Sequence, residues 1–224
     1  MTFSDLYTIS PEISMVVLAM LIVLLDLVVR RKRYLTVVTM VGLTVPLGLS
    51  VALWQGLDVA SMADSEIIVR RVLAIGTLET VVVDKFSLFF KFLFTGVVAV
   101  VILVSNDYLR RFDGFHAEYI ALLLFSATGM MLLASSVEMM TIYIALELST
   151  LPLVALAAFI RDSRSSESGL KFLILSGVSS AVLLYGMVLV YGFTGSTVLI
   201  DVAARLGEMS LSADQPFGSY ALLM

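Results

Sequence analysis

Apolar residues run along this chain in blocks too long and too continuous for the two-faced elements of a water-soluble fold. Six of them have the roughly 17–25 residues that cross a bilayer as a helix. They are Ile13–Val29, Leu35–Trp54, Phe86–Val104, Ala117–Ser136, Met139–Ile160 and Leu170–Phe193. The pattern predicts an all-α, polytopic transmembrane helical bundle, a single membrane domain over residues 1–224. The closing "FGSYALLM" reads as the start of a seventh span, so the chain is expected to be a fragment of a longer one.

Two segments between the blocks are patterned as well. In the loop over residues 56–85, Glu66–Val83 is rich in Ile and Val, with Gly76-Thr77 between two short runs, a candidate hairpin. Over residues 197–209, Val198, Val202, Leu206 and Met209 recur at helical spacing, with Asp201, Arg205 and Glu208 elsewhere. That spacing predicts a short amphipathic helix lying in the interface.

Composition fits a membrane protein and removes several classes of function. Hydrophobic residues make up 60% of the chain and charged ones 14%, against about 25% charged in a soluble domain. Basic residues sit at the ends of apolar runs and leave no nucleic-acid footprint. With no cysteine and only His116, the chain offers no thiolate ligands for an iron–sulfur cluster and no clustered metal site.

Charge also sets an expected orientation. Asp5 and Glu12 lead into the first span and the basic run Arg30-Arg31-Lys32-Arg33 follows it, the reverse of a cleavable signal peptide. Loops one, three and five hold eight Lys and Arg residues, against four in the remaining loops and tails. The positive-inside rule places those odd loops in the cytoplasm and the N-terminus outside.

The most informative residue is Glu147, in "EMMTIYIALELSTLPLVALAAFI" (Glu138–Ile160), where no cation accompanies it. It falls roughly 12 Å into its span by the helical rise, where an acid costs about 2.5–3.5 kcal/mol. Tyr143 and Thr150 share its helical face. Pro152 removes a backbone donor and frees the carbonyl of Leu148. An acid, hydroxyls and a free carbonyl within two turns suit water and protons. The plainer reading is a protonated packing residue beside an ordinary kink, and intramembrane acids more often mark ion or proton pathways.

The remaining candidates are weaker. Lys91 is expected to snorkel outward from the third span, and Glu138 to be solvated at the membrane edge. Glu167 and Lys171 form a local i, i+4 pair on the bland reading. Ser176, Gly177, Ser180 and Ala181 make small-xxx-small pairs suited to close helix packing. Lys171, Tyr185, Ser180 and Lys91 are the candidates for a proton path, and Ser126, Thr128 and Gly129 for lining the same cavity.

"IALELSTLPLVALAAFIRD" followed by "SESGLKFLILSGVSSAVLLYGMVLVYGFTGST" resembles the fifth and sixth helices of NADH-quinone oxidoreductase subunit N, an antiporter-like membrane subunit of respiratory complex I. "PEI…LLDLVVRRKR" and "DKFSLFFKFLF" resemble it too. The resemblance implies an antiporter-like fold, here its N-terminal part, built in the family from inverted repeats. It implies that Glu147 is the intramembrane carboxylate that pairs with a lysine on helix seven, beyond Met224. A nearby ammonium favours the ionised acid and its departure favours protonation, so the pair could drive protons across the midplane. The implied partners are the other membrane subunits of complex I and the lipid bilayer, and the implied location is the cell membrane rather than an organellar inner or thylakoid one. The assembled complex would use NADH and quinone, with flavin and iron–sulfur clusters in other subunits and no cofactor bound by this chain. A multisubunit cation/proton antiporter and a structural membrane scaffold are the alternatives.

Overall fold

Continuous apolar sequence, broken only at helix-stopping residues, produces a stack of long helices with one small sheet at one end. The computed structural model describes residues 3–28, 33–63, 71–75, 78–109, 115–160 and 162–211. The chain order is α1 (Phe3–Thr8), α2 (Ser10–Val28), α3 (Arg33–Gly42), α4 (Thr44–Ala63), β1 (Arg71–Ile75), β2 (Leu78–Val83), α5 (Lys85–Leu109), α6 (His116–Ser135), α7 (Met139–Ala157), α8 (Ser163–Thr194) and α9 (Leu199–Leu211). Six stretches are long and apolar enough to cross a membrane, with α3 and α4 together making one of them. The segment read as a seventh span and the basic residues Arg30, Arg31, Lys32, Arg110, Arg111 and Arg161 lie outside the described residues.

Two spans differ from their sequence reading. The second is not one continuous helix: it breaks at Leu43, between α3 and α4. Pro46 accounts for the break, because its ring nitrogen cannot donate to the carbonyl of Gly42 four residues back. The sixth begins at Ser163 rather than Leu170. Asp162 caps it, accepting a hydrogen bond from the Ser165 amide at 2.6 Å, as aspartate does at helix starts. Thirty-two residues make a helix of roughly 48 Å, longer than the hydrocarbon core, so its charged first turns extend beyond it. Gly195, at φ 63°, ends α8 in the left-handed conformation that glycine tolerates.

At the centre stands α6, which packs on α2, α5 and α7. Its buried face, Ala117, Ile120, Ala121, Leu124, Ala127 and Met131, has the i, i+3, i+4 spacing of a helix stripe. It shares one apolar core with Met15, Ala19 and Ile22 of α2 and Val98 and Ile102 of α5. Helices α2, α4, α5 and α6 form a ring: α2 packs on α4 and α6, and α5 packs on the same two. Neither diagonal, α2 with α5 or α4 with α6, packs extensively among the described residues.

Strands β1 and β2 pair antiparallel, with Ile75 opposite Leu78 and Arg71 opposite Val83. The short α6–α7 connection lies against this hairpin, the Val137 amide donating to Thr80 O at 3.1 Å. On its other side the Leu199 amide donates to Val137 O at 3.0 Å and the Met139 amide to Thr197 O at 2.9 Å. The hairpin face thus ties the start of α7 to the end of α8.

Candidate functional site

Helices α7 and α8 bring Glu147 and Ser180 together. Glu147 is half-buried, eight residues into α7, and its Oε1 accepts a hydrogen bond from Ser180 Oγ. By the helical rise that point is roughly 12 Å from the hairpin-face end of α7. Among the described residues Glu147 has no ion-pair partner. An acid is costly at that depth, and the Ser180 hydroxyl is the side chain that meets it.

The surrounding residues divide into those at the site and those away from it. Tyr143 and Thr150 are half-buried on the same helix. Thr150 Oγ1 donates to Leu146 O at 3.0 Å and also lies 3.4 Å from Glu147 O. Pro152 is buried inside α7. Three residues before it, Ser149 O accepts from Ser126 Oγ of α6 at 2.9 Å. Tyr185 points to the exposed side of α8 and is 66% exposed. Lys171 is exposed and pairs with Glu167 at 2.5 Å, away from Glu147.

Ser126 and Gly129 serve close packing instead of lining a cavity. A Cβ at Gly129 would meet backbone atoms of Ser149 and Leu148, so only glycine lets α6 approach α7 this closely. Gly169 does the same for α8, where a Cβ would meet Ala158. Thr128 Oγ1 donates to its own Leu124 carbonyl at 2.8 Å. Gly177, expected from spacing to be a packing glycine, has nothing within 4 Å of a built Cβ, and Ala181 is exposed. Of that small-residue set only Ser176 and Ser180 turn toward the covered side of α8.

Two ionisable residues depart from their sequence reading. Lys91 does not snorkel. It is fully buried, with its Nζ 2.7 Å from Glu12 Oε1 of α2, and that counter-charge replaces the water a snorkelling ammonium would seek. Glu138 is not solvated: it is 5% exposed and accepts from Thr141 Oγ1 at 2.7 Å and Thr197 Oγ1 at 3.0 Å. Sequence reasoning does not pair Glu12 with Lys91. An acid and a lysine just inside the hairpin-side ends of two spans were the available signal. No group of three or more metal-ligating side chains occurs among the described residues.

The family described as NADH:quinone oxidoreductase/Mrp antiporter, TM, matches residues 136–224, which include α7 and α8. Among curated relatives, NADH-quinone oxidoreductase subunit N of Trichlorobacter lovleyi is 36% identical over 92% of this chain and 39% of its own length. That of Heliobacterium modesticaldum is 46% identical over 56% of this chain and 27% of its own. The chain spans well under half the length of these relatives. Among solved structures, respiratory complex I from Thermus thermophilus with bound aureothin superposes at a TM-score of 0.65, with 25% identity, covering 94% of this chain and 46% of that one. An Mrp complex from Dietzia sp. superposes at 0.66 with 16% identity, over 99% of this chain and 43% of that one; at that identity the likeness concerns fold alone. The chain is a multi-pass helical membrane protein with the antiporter-like fold, similar over most of its length to NADH-quinone oxidoreductase subunit N.

Proposed function

We propose that this chain is the N-terminal part of a membrane subunit of NADH-quinone oxidoreductase, in which Glu147 carries protons across the membrane as electrons pass from NADH to quinone. The observation that carries the reading is the half-buried Glu147, held by Ser180 between α7 and α8 at mid-membrane depth. In the full-length subunit a lysine from the next span is its expected partner. Ser180 and Thr150 supply hydroxyls along which the proton can leave. Electron carriers reside in other subunits, and the partners of this chain are neighbouring membrane subunits and lipid.

The test uses the assembled complex in sealed vesicles. NADH and a quinone should produce an uncoupler-sensitive pH gradient of equal size in sodium-free and sodium-containing buffer. A gradient that requires sodium and forms without NADH would instead support the cation/proton antiporter.

The proposed orientation places the N-terminus and the hairpin face outside the cell membrane. The chain has no cysteine, so single-cysteine labelling is direct. In intact cells Asp201→Cys should react with an impermeant maleimide and Ser163→Cys should be protected; the opposite pattern would invert the topology.

A further inference from the structure

Glu12 and Lys91 join α2 to α5, and these two helices are diagonal in the four-helix ring. Their ion pair therefore crosses the middle of the bundle. Lys91 is fully buried and the Glu12 side chain is 7% exposed. Lys91 lies six residues into α5, roughly 9 Å from its hairpin end, and Glu12 lies in the first turn of α2. Helix α1, which leads into α2, packs on β1, so both charges belong to the hairpin end of the bundle.

The pair is poorly satisfied. Nζ and Oε1 are 2.7 Å apart, but neither Glu12 oxygen nor Lys91 Nζ makes a directional hydrogen bond among the described residues. A buried ion pair built purely for stability needs such bonds, since desolvation otherwise cancels the attraction. Elsewhere in the core, hydroxyls find acceptors: Thr95 Oγ1, one turn from Lys91, donates to the Lys91 carbonyl at 2.8 Å. The pair thus sits close to one membrane face, short of the directional bonds that the rest of the core supplies.

We propose that Glu12 and Lys91 form a second proton-exchange site, separate from Glu147, at the hairpin end of the α2–α4–α5–α6 ring. In the uptake step a hydronium ion at the hairpin face gives its proton to a Glu12 carboxylate oxygen, its own O–H bond breaking to leave water. The acid becomes neutral, and the positive charge stays on the Lys91 ammonium with no other bond broken. Loss of that proton to the same face or to a deeper acceptor restores the ion pair. Among the described side chains, no other ion pair is made by Glu12 or Lys91. Tyr7 of α1, Asp84 and Lys85 lie at the hairpin end, outside the ring interior. Asp26 of α2 and His116, Glu118 and Tyr119 of α6 lie at the opposite end, where Tyr119 Oη is 3.0 Å from Ser105 Oγ near the end of α5. The buried core of the ring holds apolar Met15, Ala19, Val98 and Leu124, with Thr95 the buried hydroxyl one turn from Lys91.

The inference rests on the proton-translocation reading and extends it to this chain's first and third spans. Its test is the paired substitution Glu12→Gln with Lys91→Met in the full-length subunit of the assembled complex. Removing both charges leaves no unpaired ion, so a merely structural pair predicts normal assembly and normal pumping. The proton-exchange role predicts normal assembly with the protons moved per electron falling below half of the wild-type value. Pumping at the wild-type ratio in an assembled double variant would overturn the proposal, while a wild-type complex that moved no protons would instead overturn the functional reading itself. If the double variant fails to assemble, Glu12→Asp decides. A carboxyl infrared band that appears on NADH addition and shifts in that variant supports proton exchange; its absence from both proteins refutes it.

Discussion

Glu147→Gln, made in the full-length subunit of the complex, is expected to leave assembly near normal and to remove most NADH-driven proton translocation. Glutamine keeps the shape of the side chain, and its amide oxygen can still accept from Ser180 Oγ, which bonds Glu147 Oε1 in the native site. What it cannot do is release or take up a proton. Glu147→Asp keeps the titratable group but draws it back by one methylene, so it should retain a substantial part of the pumping. Ser180→Ala removes a hydrogen bond to a charged acceptor, a contribution of about 1.5–3 kcal/mol, and should produce an intermediate loss. A packing role for Glu147 makes the opposite forecast: Gln harmless, Ala poorly assembled. Measuring complex abundance beside protons per electron separates them, and normal pumping in a well-assembled Gln variant ends the proton-carrier reading.

The sequence made the spans and Glu147 legible because both depend on local facts. A twenty-residue apolar run must be helical in lipid, and an acid within one is costly wherever it points. Features decided by distant partners were harder. The lysine at Lys91 reads as a snorkelling residue until Glu12, 79 positions earlier, is seen beside it. Glu138 reads as solvated until Thr197, 59 positions later, donates to it. Helical spacing reads Gly177 as a packing residue and Gly129 as one lining a cavity, yet Gly129 faces a neighbouring backbone and Gly177 faces open space. Other misses were local and readable: Pro46 marks the break at Leu43, and Asp162 marks the true start of α8.

Gly129→Ala is expected to damage the fold more than the same methyl addition at Gly48 of α4 or Gly96 of α5. The new Cβ would sit 2.8 Å from Leu148 C and Ser149 Cα, against backbone that cannot rotate aside. Overpacking of that kind costs about 1–3 kcal/mol, and valine, with two further carbons, should cost more. The displaced element would be α7, so Ser149 would move off Ser126 and Glu147, two residues earlier, would lose register with Ser180. Gly129→Ala should therefore lower both the abundance of the complex and the protons moved by each assembled copy. Gly48→Ala is the matched control, because a Cβ there meets nothing within 4 Å, and alanine raises helix propensity by about 0.8–1.0 kcal/mol. Thermal melts and abundance of the two variants compared with wild type give the answer. Equal behaviour of Gly129→Ala and Gly48→Ala would mean that α6 and α7 are not held at the separation this site requires.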